Sequence, residues 1–470
     1  MIKSILNLVR NLPSPIKNGI GKILDLAPNQ TRYGKTFWNT YKFLQKSQYW
    51  NRKKLEEYQF NKLNKLLNHA YSNVPYYNEI MDERGIKPSD IHNIKDLKKL
   101  PTLTREDVKK NLGALHVQNE NAKFLSKIHT SGTTGEPLQF YSGASARQKE
   151  LAFIYHQWSR VGVRPGDKMV QMRGELVKQG EPTNFDPILN VLRFSPQVGS
   201  QERAEYYLKK IRKFDADYIH GYPSTISDFA STIKRYNLPI RFDLEAILFA
   251  SENIYSWERE LVGEVFDCRV FSHYGLAEQV TLAAECEETE QYHCVPQYGV
   301  TEFDTDTNEI IGTGFLNYHT PFIRYRTTDI ASGINAESKC SSRDYFPVFG
   351  KVEGRLEDYL ITPKGLVGPA IITHPFKDLE TIKETQIVQE SKRIIRLRVV
   401  PWENAELSKF EIEAQNLRSD LGQLLGGEMT INMEKENGFK HSDSGKFKWI
   451  KSKISDDLLK KGLNELDRNS

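Results

Sequence analysis

The stretch His129-Thr-Ser-Gly-Thr-Thr-Gly-Glu-Pro137 is the strongest local signal in the sequence. It places two glycines and four hydroxyl residues within six positions. Glycine lets the backbone approach an anion closely, and amides and hydroxyls together can surround phosphate oxygens. The stretch lacks the Gly-Lys-Ser/Thr ending of a Walker loop. From the residues alone, a phosphate-binding loop and an ordinary polar turn both remain open.

Outward from this loop, residues 125–350 alternate strand-like with helix-like runs. The predicted strands are 168–172, 217–220, 246–250 and 269–273, and the predicted helices are 202–213, 224–236 and 255–266. This alternation indicates α/β layers whose loops after strands are available for chemistry. After about residue 355, strand-like runs at 393–400 and 429–434 flank a helix near 404–421. The predicted fold class is mixed α/β, with a large layered unit followed by a small α+β unit.

Four further motifs follow the loop along the chain. They are Tyr274-Gly-Leu-Ala-Glu278, Arg324-Tyr-Arg-Thr-Thr-Asp329, Gly354-Arg-Leu-Glu-Asp358 and Gly445-Lys446. Together with Thr130–Pro137 they resemble, in the same order, the motifs of the adenylate-forming superfamily, which includes acyl- and aryl-CoA synthetases and luciferases. The resemblance is strongest to the phenylacetate-CoA ligase-like branch and its capsular polysaccharide biosynthesis (CapK-type) subgroup. It covers nearly everything from about residue 55 to 455.

The resemblance implies a division of the chain into three parts. Residues 55–355 form a large layered α/β adenylation domain that binds ATP and the acid. Residues 356–470 form a small mobile α+β lid, with Glu357 at the hinge. Residues 1–54 show no such likeness and form a separate basic, amphipathic N-terminal arm.

The resemblance also implies a role for each motif. The residues that hold the phosphates are Thr130, Ser131, Gly132, Thr133, Thr134 and Gly135. Tyr274 and Gly275 lie against adenine, and Asp329 accepts the ribose hydroxyls with help from Arg355. Glu278 ligates Mg²⁺, as a hard oxygen donor suits that ion. Lys446 acts with Glu278 in catalysis, as a movable cation beside the reacting carboxylate and the α-phosphate.

Each of these residues also has a structural interpretation. Glu278, Asp329 and Arg355 are alternatively ordinary paired charges, and Tyr274 is alternatively part of the core. Lys446 lies among Lys440, Lys448 and Lys451, so a solvated basic loop is the alternative there.

Three positions depart from the pattern of the superfamily. Leu138 follows Pro137 where many members carry a phosphate-facing lysine. Thr328 replaces the usual glycine before Asp329, which tightens that turn sterically. Glu357 stands where aspartate or lysine is more common at the hinge.

The cysteines suggest a possible metal site. Cys286, His293, Cys294 and Cys340 include the ligand types of tetrahedral Zn²⁺. Relatives in the phenylacetate branch carry a Cys-x-Cys before the hinge motif, whereas Cys340-Ser-Ser342 keeps only the first cysteine. Cys294 is the candidate fourth ligand, and a set of buried thiols without zinc is the alternative.

The charge of the chain is unevenly distributed. Residues 1–54 hold eleven cations and one anion, a net charge of +10, so the other 416 of the 470 residues carry −6 of the overall +4. An acidic body argues against nucleic-acid binding over the whole surface. No run is long and apolar enough for a membrane span, and four cysteines make no disulfide framework, which favours the cytoplasm. The arm is either a peripheral contact with the inner membrane face or a partner, or a helical face packed on the body.

Three functions remain open from the sequence. The first is an ATP-dependent, AMP-forming ligase that activates a carboxylic acid as an acyl-adenylate and passes it to CoA or another thiol. The second passes the acyl group to an amine or a hydroxyl, for example on a sugar precursor of a cell-surface polysaccharide. The third is a non-catalytic, membrane-associated assembly protein. Arg173 and Glu175 are candidates to face a polar acid, while the aromatic residues after the loop line a pocket or fill the core.

Overall fold

A computed structural model describes residues 12, 16–17, 19–20, 30–118, 125–129, 138–173, 182–196, 198, 200–335, 340, 343–355, 358–363, 365–376, 379–439 and 447–454. The α-helices in this part of the chain are α1 (Gln30–Ser47), α2 (Arg52–Asn73), α3 (Pro75–Glu83), α4 (Arg105–Asn111), α5 (Ala144–Trp158), α6 (Gln201–Phe214), α7 (Pro223–Arg235), α8 (Ser256–Phe266), α9 (Pro369–Ile372) and α10 (Leu407–Leu425).

The strands of the same residues form five sheets. They are β1 (Ser126–His129), β2 (Gln139–Ser142), β3 (Met169–Met172), β4 (Thr183–Asp186), β5 (Val191–Phe194), β6 (Tyr218–Gly221), β7 (Ala246–Ala250), β8 (Arg269–Gly275), β9 (Leu282–Glu285), β10 (Tyr292–Cys294), β11 (Gly299–Phe303), β12 (Glu309–Gly314), β13 (Tyr325–Ser332), β14 (Val348–Phe349), β15 (Lys351–Arg355), β16 (Leu360–Thr362), β17 (Gly365–Val367), β18 (Ile382–Ser391), β19 (Ile394–Pro401), β20 (Thr430–Lys435) and β21 (Ile450–Ser452).

The largest sheet has nine strands in the order β14-β10-β9-β8-β7-β6-β3-β5-β4. Its central strands β5, β3, β6, β7 and β8 are parallel, and α6, α7 and α8 connect successive strands. Side chains alternate between the two faces, so Ile247 and Phe249 pack toward α6–α8 while Leu248 faces α1 and α5. Both faces are therefore covered, and the carboxyl ends of the parallel strands share one edge.

Two further sheets have four strands each. The first has the order β11-β12-β13-β15, in which Asp329 of β13 lies opposite Arg355 of β15. The second has the order β20-β19-β18-β21 and packs on α10. The predicted mixed α/β class, with a large layered part followed by a small α+β part, is confirmed.

The N-terminal helix α1 lies against α5. Phe37, Tyr41 and Leu44 are buried there, and Arg32 Nη1 donates to the carbonyl oxygen of Pro187 at 2.7 Å. Beyond residue 30, the predicted arm thus contributes apolar side chains to the core. Among the described residues, no helix combines the length and apolar character needed to cross a bilayer. The boundaries after residues 54 and 355 remain predictions.

Candidate functional site

The parallel strands end at a cavity of about 560 Å³. Its walls come from the ends of β3, β7 and β8, from the β13–β15 pair, and from the segment before β21. The predicted site residues that line it are Tyr274, Gly275, Glu278, Asp329 and Arg355. A second cavity, of about 710 Å³, lies between α7, α8 and the C-terminal sheet and contains none of them. The structure therefore brings three separate sequence motifs to one site.

Asp329 is the centre of a short hydrogen-bonded chain. Its Oδ2 accepts a hydrogen bond from the Tyr274 hydroxyl at 2.7 Å, and its Oδ1 accepts one from Arg355 Nε at 3.2 Å. Arg355 reaches it because the two residues are cross-strand neighbours. Burial raises the pKa of Tyr274 well above its ordinary value, with the Asp329 charge adding to the effect. Tyr274 therefore stays a hydrogen-bond donor at neutral pH.

The turn before Asp329 has the strain that its sequence predicts. Thr328 has a φ of 66°, a left-handed conformation that is unfavourable for a β-branched residue. Its amide donates to Glu309 Oε1 at 2.8 Å, which holds the turn in place. The expected steric tightening at this position is therefore observed.

Glu278 lies in the loop between β8 and β9 and is 8% exposed. The Tyr325 hydroxyl donates to its Oε1 at 3.3 Å, and burial raises the pKa of its carboxyl. The loop packs directly on β12, where a Cβ on Gly314 would lie 1.9 Å from the carbonyl oxygen of Gln279. Only glycine permits that approach, so the sheet β11-β12-β13-β15 fixes the loop that carries the carboxylate.

The C-terminal part of the chain closes one side of the cavity. Phe447, Lys448, Trp449 and Ile450 line it, and Lys448 Nζ lies 3.1 Å from Asp358 Oδ1. Lys446 and Glu357, the predicted catalytic lysine and hinge residue, are close in sequence to Lys448 and Asp358, but both lie outside the described residues. Their roles remain predictions.

The phosphate loop also lies outside the described residues. This applies to Thr130, Ser131, Gly132, Thr133, Thr134 and Gly135. The flanking strands are described: β1 and β2 pair antiparallel, with His129 opposite Gln139. Leu138, where many members of the superfamily carry lysine, is 1% exposed and packs in the core.

Several charged cavity residues have no role among the sequence predictions, and Glu150, Asp358 and Lys448 are three of them. Burial raises the pKa of Glu150 to about 7, although the Tyr298 hydroxyl donates to its carboxylate. Asp358 is the last residue of the hinge motif, so its position in that motif was the available signal. Glu150 and Lys448 lie in unremarkable helical and basic sequence, and only the tertiary structure brings them to the cavity.

The predicted zinc ligands are only partly brought together. The donor atoms of Cys286, His293 and Cys340 all lie within 4.8 Å of one another, and all three residues are buried. The Glu288 amide donates to Cys286 Sγ at 3.3 Å. Burial lowers the pKa of His293 to about 4, so its imidazole is neutral at physiological pH. This is a Cys₂His donor set of the kind that binds zinc.

The prediction of Cys294 as the fourth ligand is wrong. Cys294 follows His293 directly on β10, and consecutive strand residues face opposite sides of the sheet. Its side chain packs with Ala283, Ile310 and Phe349. Burial raises the pKa of this thiol to about 12.

Comparison with known proteins gives relatives over most of the chain. Residues 360–453 match the family described as the CapK C-terminal domain. The chain is 24% identical over 401 residues to protein CapK of Staphylococcus aureus, covering 83% of this chain and 88% of that protein. It is 25% identical over 400 residues to phenylacetate-coenzyme A ligase of Pseudomonas putida, covering 80% of this chain and 86% of that protein.

Solved structures show the same fold. One is 2-hydroxyisobutyryl-CoA ligase in the post-adenylation state in complex with R3-HIB-AMP, with a TM-score of 0.66, 16% identity and coverage of 90% of this chain and 94% of that chain. The same ligase with 2-HIB-AMP and CoA in the thioesterification state gives a TM-score of 0.53, with 17% identity and the same coverage. The chain has the fold of adenylate-forming CoA ligases.

Proposed function

We propose, on the premise that this chain is a relative of CapK and of the phenylacetate-CoA ligases, that it is an ATP-dependent, AMP-forming acid ligase. The observation that carries the proposal is the arrangement around Asp329. An ionised carboxylate offers about four lone-pair sites. Tyr274 and Arg355 use one on each oxygen, which leaves two for a pair of hydroxyls such as those of a ribose.

The reaction has two steps. A carboxylate oxygen of the acid attacks the α-phosphorus of ATP, the bond from that phosphorus to the bridging oxygen breaks, and pyrophosphate leaves. A thiol of CoA, or another acceptor, then attacks the acyl carbon, AMP leaves, and the thiol proton passes to solvent. Negative charge accumulates in the first step, so oriented amides and cations supply most of the stabilisation. The Thr130–Gly135 loop and Lys446 are the proposed sources.

Glu278 fits the proposed role of holding Mg²⁺. It is a buried oxygen donor on the cavity wall, close enough to Asp329 for that charge to help raise its pKa. A divalent cation beside it would favour the ionised form and would supply charge neutralisation for bound phosphates. The charges of Arg355 and Arg105 act in the opposite direction on the pKa of this carboxyl.

The residues beyond 355 form the proposed lid. They supply Phe447–Ile450 to the cavity wall, and Asp358 lies one residue after Glu357, the proposed hinge. A lid that carries Lys446 can deliver the cation for the first step and withdraw it afterwards. The match of residues 360–453 to the CapK C-terminal domain and the similarity to CapK support a role in cell-surface polysaccharide biosynthesis. An amine or sugar hydroxyl is then the alternative acceptor to CoA.

The test is pyrophosphate release by the full-length protein with ATP and Mg²⁺, over aryl, fatty, amino and sugar acids, each with and without CoA. We expect release that depends on one acid class, and formation of a CoA thioester if the thiol is the acceptor. A folded protein that binds ATP but releases no pyrophosphate with any of these acids would contradict the proposal.

We also propose that Cys286, His293 and Cys340 hold a structural zinc ion. Two thiolates and a neutral imidazole balance the charge of Zn²⁺ and join β9, β10 and the segment before β14. We expect elemental analysis to find about one zinc per chain, and Cys286→Ser or Cys340→Ser to lose it and lower the melting temperature.

Cys294→Ser is the matched control for that prediction, because it changes a buried thiol on the same strand that faces the other way. It is expected to retain the metal. Protein purified without zinc, or equal metal loss in all three variants, would refute the site.

A further inference from the structure

Arg173 lies directly after β3 and lines the same cavity as Asp329 and Tyr274. Its Nη1 is 3.5 Å from His220 Nε2, and its guanidinium carbon is 5.9 Å from the ring centroid of Tyr222. Burial lowers the pKa of Arg173 below its ordinary value, yet a guanidinium remains charged in a protein. The cavity therefore contains a desolvated positive charge.

The side chains beside this charge do not neutralise it. Burial lowers the pKa of His220 well below its ordinary value and that of His273 to about 3, so both imidazoles are neutral. The Trp158 indole N–H donates to His273 Nδ1 at 3.2 Å, so the proton of that ring is on Nε2. His220 and His273 therefore provide shape and polarity around Arg173 but no negative charge.

Two arginines near the same sheet are paired with carboxylates, whereas Arg160 donates to the main-chain carbonyl oxygens of Ala284 and Glu285. Arg193, on the strand next to β3, lies 2.8 Å from Asp186, and Arg259 pairs with Glu285. In the described part of the chain, Arg173 forms no ion pair. A buried charge without a counter-ion is costly, and that cost is recovered when an anion binds.

The position of Arg173 determines which part of a substrate it reaches. Three strand steps separate β3 from β8, the strand of Tyr274, which at ordinary spacing is about 14 Å. Asp329 and Tyr274, the nucleotide end of the proposed site, lie on the β8 side of the cavity, and Arg173 enters it from the β3 side, beside His220. An anion at Arg173 belongs to the far end of the acid.

We propose that the acid substrate carries a second carboxylate, or another oxyanion, at the end opposite its reacting carboxylate, and that Arg173 binds it. This inference rests on the proposed ligase function and specifies its substrate class. His220 and His273 shape the pocket around the second anion, and the neutral state of both imidazoles leaves Arg173 as its partner.

The test compares matched mono- and diacids in pyrophosphate release: hexanoate with adipate, and benzoate with isophthalate. For the wild type we expect kcat/KM to favour the diacid by about 100-fold. Arg173→Met is expected to lose about 100-fold with the diacid and nothing with the monoacid, with an unchanged KM for ATP. Arg173→Lys keeps the charge but not the planar guanidinium that can donate two parallel hydrogen bonds, and its kcat/KM with the diacid should fall by about 10-fold. Arg212→Met, at an exposed position on α6, is the control.

Three results would overturn the inference: a wild type that prefers monoacids, equal losses of both acids in Arg173→Met, or a raised KM for ATP, which would assign Arg173 to the nucleotide. If the protein releases pyrophosphate with none of the acids, the proposed ligase function is wrong, but this result does not test the binding of a diacid at Arg173. A thermal-shift experiment then tests that binding separately. Diacids that raise the melting temperature of the wild type but not of Arg173→Met support it, and no diacid-dependent shift refutes it.

Discussion

Replacing Lys446 by alanine is expected to lower adenylate formation by about 1000-fold and to leave ATP binding nearly intact. The residues that follow it, Phe447–Ile450, line the cavity, so the backbone brings this segment to the site. A cation that acts on charge developing at the α-phosphate contributes to the transition state more than to the bound nucleotide. Acid-dependent pyrophosphate exchange measures the first quantity, and calorimetric titration with ATP measures the second.

Lys451→Ala is the matched control, because Lys451 belongs to the same basic segment but does not line the cavity. Its adenylation rate should equal that of the wild type. Equal rates in Lys446→Ala and the wild type would remove Lys446 from the mechanism, and a parallel loss of ATP affinity would make it a binding residue.

The second large effect is expected from Asp329→Asn. The amide keeps the shape of the side chain but removes the charge that holds Arg355 at 3.2 Å. It also turns one acceptor toward Tyr274 or a ribose hydroxyl into a donor. We expect the KM for ATP to rise by about 100-fold, because a polar group of the site is then left unpaired in the complex. Steady-state kinetics with varied ATP measures this change.

Asp304→Asn provides the comparison. Asp304 pairs with Arg326 at 3.1 Å and lies outside the cavity. Both substitutions remove an ion pair near the same sheet, so similar melting temperatures are expected. Only Asp329→Asn should change the KM for ATP, and equal kinetic effects would show that the change acts through the stability of the sheet.

Local chemistry made much of the fold predictable. In Thr104-Arg-Glu-Asp107 a hydroxyl precedes a carboxylate by three residues, a spacing that predicts a capping box, and the Asp107 amide does donate to Thr104 Oγ at 3.1 Å. The strand 246–250 matches β7 at both ends, because a short apolar run between turns has few alternatives. The order of the motifs also predicted that Asp329 and Arg355 belong to one site.

Properties that depend on side-chain direction were less predictable. Residue type makes Cys294 a candidate to replace the cysteine that is missing after Cys340, but neighbouring strand residues face opposite sides, so Cys294 points away from His293. Arg173 is a sequence candidate for a polar substrate, but that it forms no ion pair within the described residues is visible only when the neighbouring strands and helices are in place. The spacing of residues along the sequence does not predict which charged side chains form ion pairs across a sheet.

The close contact between Gly314 and the loop of Glu278 has a consequence for how this protein tolerates mutation. Because a Cβ at Gly314 would overlap the Gln279 carbonyl oxygen, any other residue there forces the loop away from β12. The same displacement moves the proposed magnesium ligand. A substitution at Gly314 is therefore expected to change stability and activity together. A variant that folds would still have the Glu278 carboxylate displaced.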